Sequence, residues 1–231
     1  MGAELKSDGY DTDKNESYLA AYESHFRDLA NKEIALLELG IFHGGSLLMW
    51  RDYFKKGAVV GLDMDRVELD DPSGRIHIYQ GLQQDKQLLD KIRRETAPGG
   101  FDIIIDDASH LGELSKTSFW HLFENHLRPG GTYVVEDWRT GYWGKWPDGK
   151  SYDFGAPGLM TRLSGKNRLR SHDYGMVGFV KQLVDELGMD MITDPARGST
   201  VPQRPTKFAR MEIYPGQVFI LKAADGQPAG K

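Results

Sequence analysis

The chain alternates short apolar runs with segments of helical spacing, and this alternation predicts strands and helices in turn. The apolar runs that predict strands are Ile34–Leu39, Ala58–Asp63, Arg75–Tyr79, Phe101–Asp106 and Thr132–Glu136. The segments that predict helices are Ser46–Phe54, Asp85–Thr96, Ser115–Leu127 and Tyr174–Leu187. Two further runs flank a Pro-Gly turn, which predicts a terminal antiparallel hairpin of Lys207–Tyr214 and Gln217–Lys222.

Nearly continuous apolar strands separated by helices indicate a parallel sheet that is covered on both faces. Right-handed crossovers bring the carboxyl ends of such strands to one edge, where ligands bind at the switch point in strand order. The predicted fold class is therefore α/β, with a Rossmann-like, mostly parallel doubly wound sheet and a C-terminal antiparallel hairpin. We expect a single domain over residues 1–231.

Three stretches fall outside this alternation. Residues 1–15 are polar and rich in Asp, and we expect them to form a lid over the cofactor. Residues 138–173 combine many aromatic side chains with glycines, which predicts an insert that closes over the substrate, with a subunit contact as the alternative. Residues 223–231 are expected to be a frayed tail.

Composition narrows the function classes. The 231 residues are 39% hydrophobic and 27% charged, an ordinary balance for a globular protein. The net charge of −5 argues against a nucleic-acid partner, and no apolar run is long enough for a membrane span or a signal peptide. The chain has no Cys, so thiolate metal sites and catalytic thiols are excluded. The expected location is the cytoplasm.

The loop after the first predicted strand is rich in glycine and is a candidate cofactor loop. It lacks the G-x-G-x-x-G of dinucleotide-binding loops and the Gly-Lys-Ser/Thr of phosphate loops. Its E-x-G-x-x-x-G-G spacing is similar to the loop of class I S-adenosylmethionine (SAM) methyltransferases, in which glycines let the backbone approach the ligand. The alternative is a generic turn between strand and helix. The candidate cofactor residues of this loop are Glu38, Gly40, Gly44 and Ser46.

Three more candidate cofactor residues follow or end later strands. Asp63 ends the second strand 23 residues after Gly40, a spacing typical of an acid that binds ribose hydroxyls, and Asp65 is its competitor. Gln83 follows the third strand and could bond the adenine edge, although a capped turn is an equal alternative. Asp106, at the end of the fourth strand, completes the predicted set.

Carboxylates and a histidine also gather at the ends of two strands that should be neighbours in the sheet. The fourth strand leads into Asp107 and His110, and the fifth ends in Glu136 and Asp137. Carboxylates this close are costly without a cation, and oxygen ligands favour Mg²⁺ or a similar hard ion. We therefore predict Asp107, Glu136 and Asp137 as metal ligands. Successive strand residues face opposite sides, so Glu136 and Asp137 can share an ion only where the strand has turned into loop.

His110 is the candidate general base. An alcohol has a pKa far above 7, so its methylation benefits from a bound cation and a nearby imidazole that takes the proton. The alternative is a histidine at a helix start that bonds only to the backbone.

A set of motifs resembles a known family. The set comprises Thr12-Asp13-Lys14 with Tyr18 and Tyr22, then LLELGIFHGGSLLMWRDYF, GLDMD, DDASH and VVEDWRTGYW. Together these motifs resemble the metal-dependent sugar O-methyltransferases of macrolide and related natural-product pathways, such as the mycinamicin-type and rhamnosyl O-methyltransferases. The resemblance covers about residues 10–190.

The resemblance implies a class I methyltransferase fold, SAM, Mg²⁺ (or Mn²⁺) and a glycoside substrate that is methylated on a sugar hydroxyl. It also implies that Asp107, Glu136 and Asp137 bind the metal and that His110 is the base. Proteins of this fold commonly form dimers or tetramers, so a homo-oligomer is expected.

The chain departs from the family pattern in places. Gly81-Leu82-Gln83 stands where such proteins often have Gly-Asp-Gln, and only the catalytic core is expected where some members have an N-terminal auxiliary domain. Three alternatives stay open: a metal-independent methyltransferase, a hydroxylase, or a non-catalytic SAM-binding protein. A hydroxylase would need a redox centre, and the spacing reveals no set of two His and one carboxylate.

Overall fold

The predicted apolar runs form the strands of one mixed sheet in the computed structural model, which describes residues 4–152 and 172–224. In chain order these strands are β1 (Glu33–Leu39), β2 (Lys56–Asp63), β3 (Ile76–Gln80), β4 (Phe101–Asp106), β5 (Leu127–Glu136), β6 (Phe208–Ile213) and β7 (Gln217–Lys222). They lie in the order β3-β2-β1-β4-β5-β7-β6, and β7 is antiparallel to both of its neighbours. The first five strands run parallel. The class I methyltransferase fold is thereby confirmed.

Helices cover both faces of the sheet. Within the described residues they are α1 (Glu16–Phe26), α2 (Gly45–Tyr53), α3 (Lys86–Thr96), α4 (Gly112–Asn125), α5 (Pro147–Ser151), α6 (Gly175–Leu187) and α7 (Met189–Ile192). Successive residues of β1 point to opposite faces, so Leu37 packs in one core with Phe119 of α4, and Leu36 in the other with Trp50 of α2. Both leucines are fully buried, as expected for a doubly wound sheet.

Helix α1 was not predicted from the sequence. Asn15 caps it by accepting hydrogen bonds from the amides of Ser17 and Tyr18. Its buried face includes Tyr22, whose ring meets Trp50 edge-on at a centroid distance of 4.9 Å, and Phe26. This apolar face is short and follows a polar, Asp-rich segment, which hides the helical period.

Strand β5 begins five residues earlier than predicted. Phe101 pairs with Leu127 but Ile103 pairs with Thr132, so the intervening residues 128–131 bulge out of the ladder. Pro129 has no N–H to donate and is tolerated in such a bulge. Because β5 begins at Leu127, α4 ends at Asn125 and not at Leu127, and His126 is its C-cap.

The aromatic segment at 138–173 is described only in part. A 3-10 turn (Trp138–Tyr142) leads into α5, and the predictions for residues 153–171 and for 225–231 lie outside the described residues. Across the described ranges, no helix combines the length and apolar character needed to cross a bilayer.

Candidate active site

The glycine loop packs against the loop that follows β4. Gly40 has a φ of +79°, and a Cβ there would lie 2.3 Å from the carbonyl oxygen of Asp107. Gly44, with a φ of +85°, is the N-cap of α2. The Ser46 hydroxyl donates to Glu38 at 2.7 Å. The absence of a Cβ at Gly40 and Gly44 thus permits their left-handed backbone and lets the loop at Gly40 pack closely against the loop after β4.

Asp63 stabilises the same loop from the end of β2. One oxygen of Asp63 accepts hydrogen bonds from the amides of Ile41 (2.8 Å) and Phe42 (3.0 Å), and the other accepts from the amide of Asp65 (3.0 Å). The carboxylate is half-buried and borders the cleft described next. Asp65, the alternative candidate for the ribose hydroxyls, is exposed and lines the same cleft.

A cleft with two lobes runs along the edge where β1, β2, β4 and β5 end, here called the carboxyl edge. The larger polar lobe has a volume of about 630 Å³ and is lined by Gly40, Asp63, Asp107, His110 and Asp137, among others. The smaller apolar lobe, of about 230 Å³, shares Gly40 and Asp63 with it and extends to Leu82 and Gln83. The cleft therefore joins a charged compartment to an apolar one.

Gln83 and Asp106 form a buried polar pair behind the apolar lobe. The Gln83 amide donates to Asp106 at 3.1 Å and to Ser118 at 3.1 Å, and its oxygen accepts from the amide of Ser109 at 3.0 Å. Asp106 is 2% exposed. The Gln83 side chain therefore holds the loop after β4 in place, and Gln83 itself forms part of the wall of the apolar lobe.

The polar lobe has a cluster of carboxylates around one buried ammonium. The Nζ atom of Lys14 lies 2.9 Å from Asp107, 2.9 Å from Glu136 and 3.1 Å from Glu38. Tyr22 donates to Glu136 from the other side, and Tyr18 donates to Asp137. These contacts attach the N-terminal segment and α1 to the ends of β1, β4 and β5.

The cluster holds more negative charge than Lys14 neutralises. Burial raises the pKa of Glu136 to about 8, and the charge of Asp107 adds to the rise, against the attraction of Lys14. Burial raises the pKa of Asp107 to about 6, although Lys14 opposes it. Burial alone would lower the pKa of Lys14, but the carboxylates of Asp107, Glu136 and Glu38 more than offset this and hold its pKa well above the usual value. A bound cation would relieve this excess.

Asp107, His110 and Asp137 converge at the mouth of the cluster. The Nε2 atom of His110 lies 4.0 Å from a carboxylate oxygen of each acid, and the three ligand atoms all lie within 4.8 Å of one another. His110 and Asp137 both have a φ of +52°, a left-handed conformation that is costly for residues with a Cβ. Asp137 is therefore already outside the strand, and it faces His110 while Glu136 faces Lys14.

These residues fit a hard divalent cation. Mg²⁺ is often held by one or two carboxylates and completes its shell with water or substrate, which matches Asp107 and Asp137 beside an open cleft. Glu136 is outside the convergent group, because its carboxylate is held by Lys14 and Tyr22. For Glu136 to bind the metal as predicted, its carboxylate would have to move away from Lys14.

Sequence reasoning missed several residues of the site. Lys14, Tyr18 and Tyr22 appeared only within the family motifs, and nothing in the sequence around Lys14 indicated that its side chain is buried. Trp146 packs edge-on against the His110 ring at a centroid distance of 4.9 Å, so the described part of the aromatic segment does border the site. The available indication for Trp146 was its place in the aromatic segment 138–173, which the sequence predicts to close over the substrate.

Two curated relatives match most of the chain. Mycinamicin VI 2''-O-methyltransferase of Micromonospora griseorubida is 34% identical over 215 residues, which cover 89% of this chain and 48% of that protein. The 8-demethyl-8-alpha-L-rhamnosyl tetracenomycin-C 2'-O-methyltransferase of Streptomyces olivaceus is 34% identical over 224 residues, 93% of this chain and 52% of that protein. The chain thus spans about half the length of these relatives. No protein-family model matches it.

A solved structure matches the fold closely. MycE methyltransferase from the mycinamycin biosynthetic pathway, in complex with Mg and SAH (S-adenosylhomocysteine), superposes with a TM-score of 0.74 at 31% identity. The match covers 99% of this chain and 56% of that one. The same enzyme has been solved with Mg, SAH and mycinamycin VI, and that structure gives a TM-score of 0.73.

Proposed function

The chain is a homologue of the sugar O-methyltransferases of natural-product biosynthesis, and from this premise we propose that it transfers a methyl group from SAM to a sugar hydroxyl with the help of Mg²⁺. The observation that carries the proposal is the two-lobed cleft, which joins an apolar compartment to an acidic one containing His110. The names of these relatives give mycinamicin VI and a rhamnosyl tetracenomycin as the compounds that they O-methylate, and this supports a glycosylated natural product as the substrate class.

SAM would lie across the two lobes. The apolar lobe beside Leu82 and Gln83 suits the adenine, and Asp63 suits the ribose hydroxyls because it lies where the lobes join. Gly40 and Gly44 let the loop backbone approach the rest of the molecule. Glu38, Ser46 and Asp106 are buried, so they would act by holding the loops that form the wall.

Asp107 and Asp137 would hold Mg²⁺ at the mouth of the acidic cluster. The ion would supply a positive charge that lowers the pKa of the acceptor hydroxyl. His110, 4.0 Å from both acids, takes the hydroxyl proton as that oxygen bonds to the methyl carbon and the sulfonium leaves as a neutral thioether. Trp146 packs edge-on against the His110 ring and would help to hold it in place.

Residues 4–14 would act as a lid. The carbonyl oxygen of Asp11 approaches Gly45 so closely that a Cβ there would lie 2.1 Å from it, and Asp11 also contacts the His43 ring at 2.9 Å. Lys14, at the end of this segment, is bound to the acidic cluster. The lid therefore borders the polar lobe along one side.

The test is a methyl-transfer assay with the purified chain, labelled SAM, Mg²⁺ and a panel of glycosides that carry free sugar hydroxyls. We expect the label to appear on the sugar of at least one glycoside, and chelation of the metal to suppress it. Transfer that survives complete chelation would contradict the metal assignment. Consumption of SAM with the label on a group other than a sugar oxygen would contradict the acceptor assignment.

A further inference from the structure

A second group of metal-ligating side chains lies at the opposite edge of the sheet. Asp90 of α3 meets His121 of α4 and His126, the C-cap of α4. One Asp90 oxygen lies 2.8 Å from Nε2 of His121 and 2.7 Å from Nε2 of His126. Sequence spacing did not reveal this set of two histidines and one carboxylate, because 30 residues separate Asp90 from His121.

We propose that Asp90, His121 and His126 form a binding site for a transition-metal ion such as Zn²⁺ that links α3 to the end of α4. Two imidazole nitrogens and one carboxylate oxygen are a common protein ligand set for Zn²⁺, with a fourth position left for water. A hard ion such as Mg²⁺ prefers oxygen ligands and would be a poor occupant.

The three ligand atoms lie near one another but must rearrange to surround an ion. All three ligand atoms lie within 4.8 Å of one another, whereas tetrahedral ligands about 2.0–2.2 Å from Zn²⁺ are separated by roughly 3.3 Å. The two imidazoles are well fixed, at 13% and 9% side-chain exposure, with ring planes 85° apart. To receive the ion, the two Asp90 contacts must lengthen from 2.8 and 2.7 Å to roughly 3.3 Å, and the Asp90 carboxylate, which is 40% exposed, has room to move outward.

This site is separate from the cleft. The carbonyl of His126 accepts the amide of Phe101, the first residue of β4, so the histidine lies at the amino edge of the sheet. The six residues of β4 place that edge roughly 16 Å from the carboxyl edge. None of the three ligands lines either lobe, so an ion there would act on stability and would not serve a hydroxylase reaction in the cleft.

The test is a calorimetric Zn²⁺ titration of the chelator-treated full chain with Mg²⁺ present in excess, repeated on four variants. His121→Gln and Asp90→Asn remove one ligand each at partly exposed positions and should still fold, which circular dichroism checks. His77→Gln is the matched control, an exposed histidine on β3. Asp137→Asn removes a ligand from the carboxyl edge instead.

We expect one Zn²⁺ to bind the wild type, His77→Gln and Asp137→Asn alike, and to raise the melting temperature. In His121→Gln and Asp90→Asn the affinity should fall at least ~10-fold, since even indirect perturbation of metal ligands costs 10–100-fold. Unchanged Zn²⁺ affinity in those two variants, loss of binding only in Asp137→Asn, or no binding to the wild type would each overturn the proposal.

Discussion

His110 adopts a left-handed backbone conformation next to the two acids that it faces. Such a conformation is costly for a residue with a Cβ and is maintained only where the surrounding structure enforces it. Asn tolerates this conformation better than most residues, so His110→Asn removes the base with little change to the backbone. We expect its turnover to fall by roughly 10²–10⁴-fold while SAM affinity stays near the wild-type value.

Steady-state kinetics and a SAM titration on His110→Asn, with His77→Asn as control, check this prediction. A turnover close to the wild-type value at saturating acceptor would mean that another group takes the proton.

Lys14 is 3% exposed and holds three carboxylates together, so its charge is structurally important. Lys14→Met keeps most of the side-chain volume but leaves Glu38, Asp107 and Glu136 without their cation. Removing one partner of a buried ion pair costs ~3–5 kcal/mol, and we expect a loss of that size in the free energy of unfolding. Urea unfolding of the metal-free protein measures it.

Lys91→Met is the matched control, because Lys91 lies exposed on α3. A loss in Lys14→Met no greater than in Lys91→Met would show that the ammonium is not needed to balance the cluster.

The two kinds of charged residue in this site differ in how well sequence predicts them. Asp63, Asp107 and Asp137 follow or end apolar strands, and parallel topology brings strand ends together whatever the details of packing. Lys14 lies in a polar segment, where a lysine is normally exposed. Its burial depends on the tertiary contact between that segment and the strand ends, which no local pattern encodes.

At the scale of elements, the contact between residues 4–14 and α2 depends on a missing Cβ. Alanine is normally favoured over glycine within a helix by about 1 kcal/mol, but at Gly45 its Cβ would lie 2.1 Å from the Asp11 carbonyl oxygen. Gly45→Ala should therefore displace the lid and weaken SAM binding. Limited proteolysis and calorimetry measure the two effects.

Gly144→Ala is the control, because a Cβ at Gly144 meets no atom within 4 Å. Unchanged SAM affinity and unchanged protease resistance in Gly45→Ala would argue against the lid.

The turn before β3 depends on Asp71. Burial alone would raise the pKa of Asp71, but hydrogen bonds from Ser73, the Ile76 amide and Arg51 hold its pKa well below the usual value. A carboxyl with a depressed folded-state pKa stabilises the protein above its unfolded pKa of about 4, and this contribution is lost as the pH falls. We expect Asp71→Ala to lose about 1–3 kcal/mol at neutral pH.

The difference between wild type and Asp71→Ala should shrink as the pH falls below about 4, which urea unfolding at several pH values measures. Asp70→Ala, at the exposed neighbouring position, should show neither effect. A pH-independent difference would mean that Asp71 acts by packing and not by charge.

The elements that sequence misplaced share a cause. Helix α1 begins in a polar segment. Its apolar face, with Tyr22 and Phe26, is buried only because it packs against Trp50 in the folded protein. The bulge at the start of β5 follows from its pairing with β4, although Pro129 and the two glycines after it suggest a turn. Both features depend on long-range contacts that override local preference.

At the scale of the whole molecule, the mostly parallel sheet and the gathering of strand ends at one edge follow from the alternation of strands and helices, which is visible in the sequence. Which acids would face Lys14 and which would face His110 was less predictable from the sequence. The acids face Lys14 on one side and His110 on the other because β5 ends at Glu136 and the chain turns at Asp137. The cluster Asp90–His121–His126 at the opposite edge arises from the packing of α3 on α4.

The central claim is that the cleft binds SAM, and calorimetric titration of SAM into the chelator-treated chain, repeated with Mg²⁺, tests it most directly. We predict saturable one-to-one binding that Asp63→Ala weakens by at least tenfold, an effect of the size expected for a hydrogen bond to a charged group. Absence of SAM binding both with and without Mg²⁺, or binding that Asp63→Ala leaves unchanged, would contradict the account.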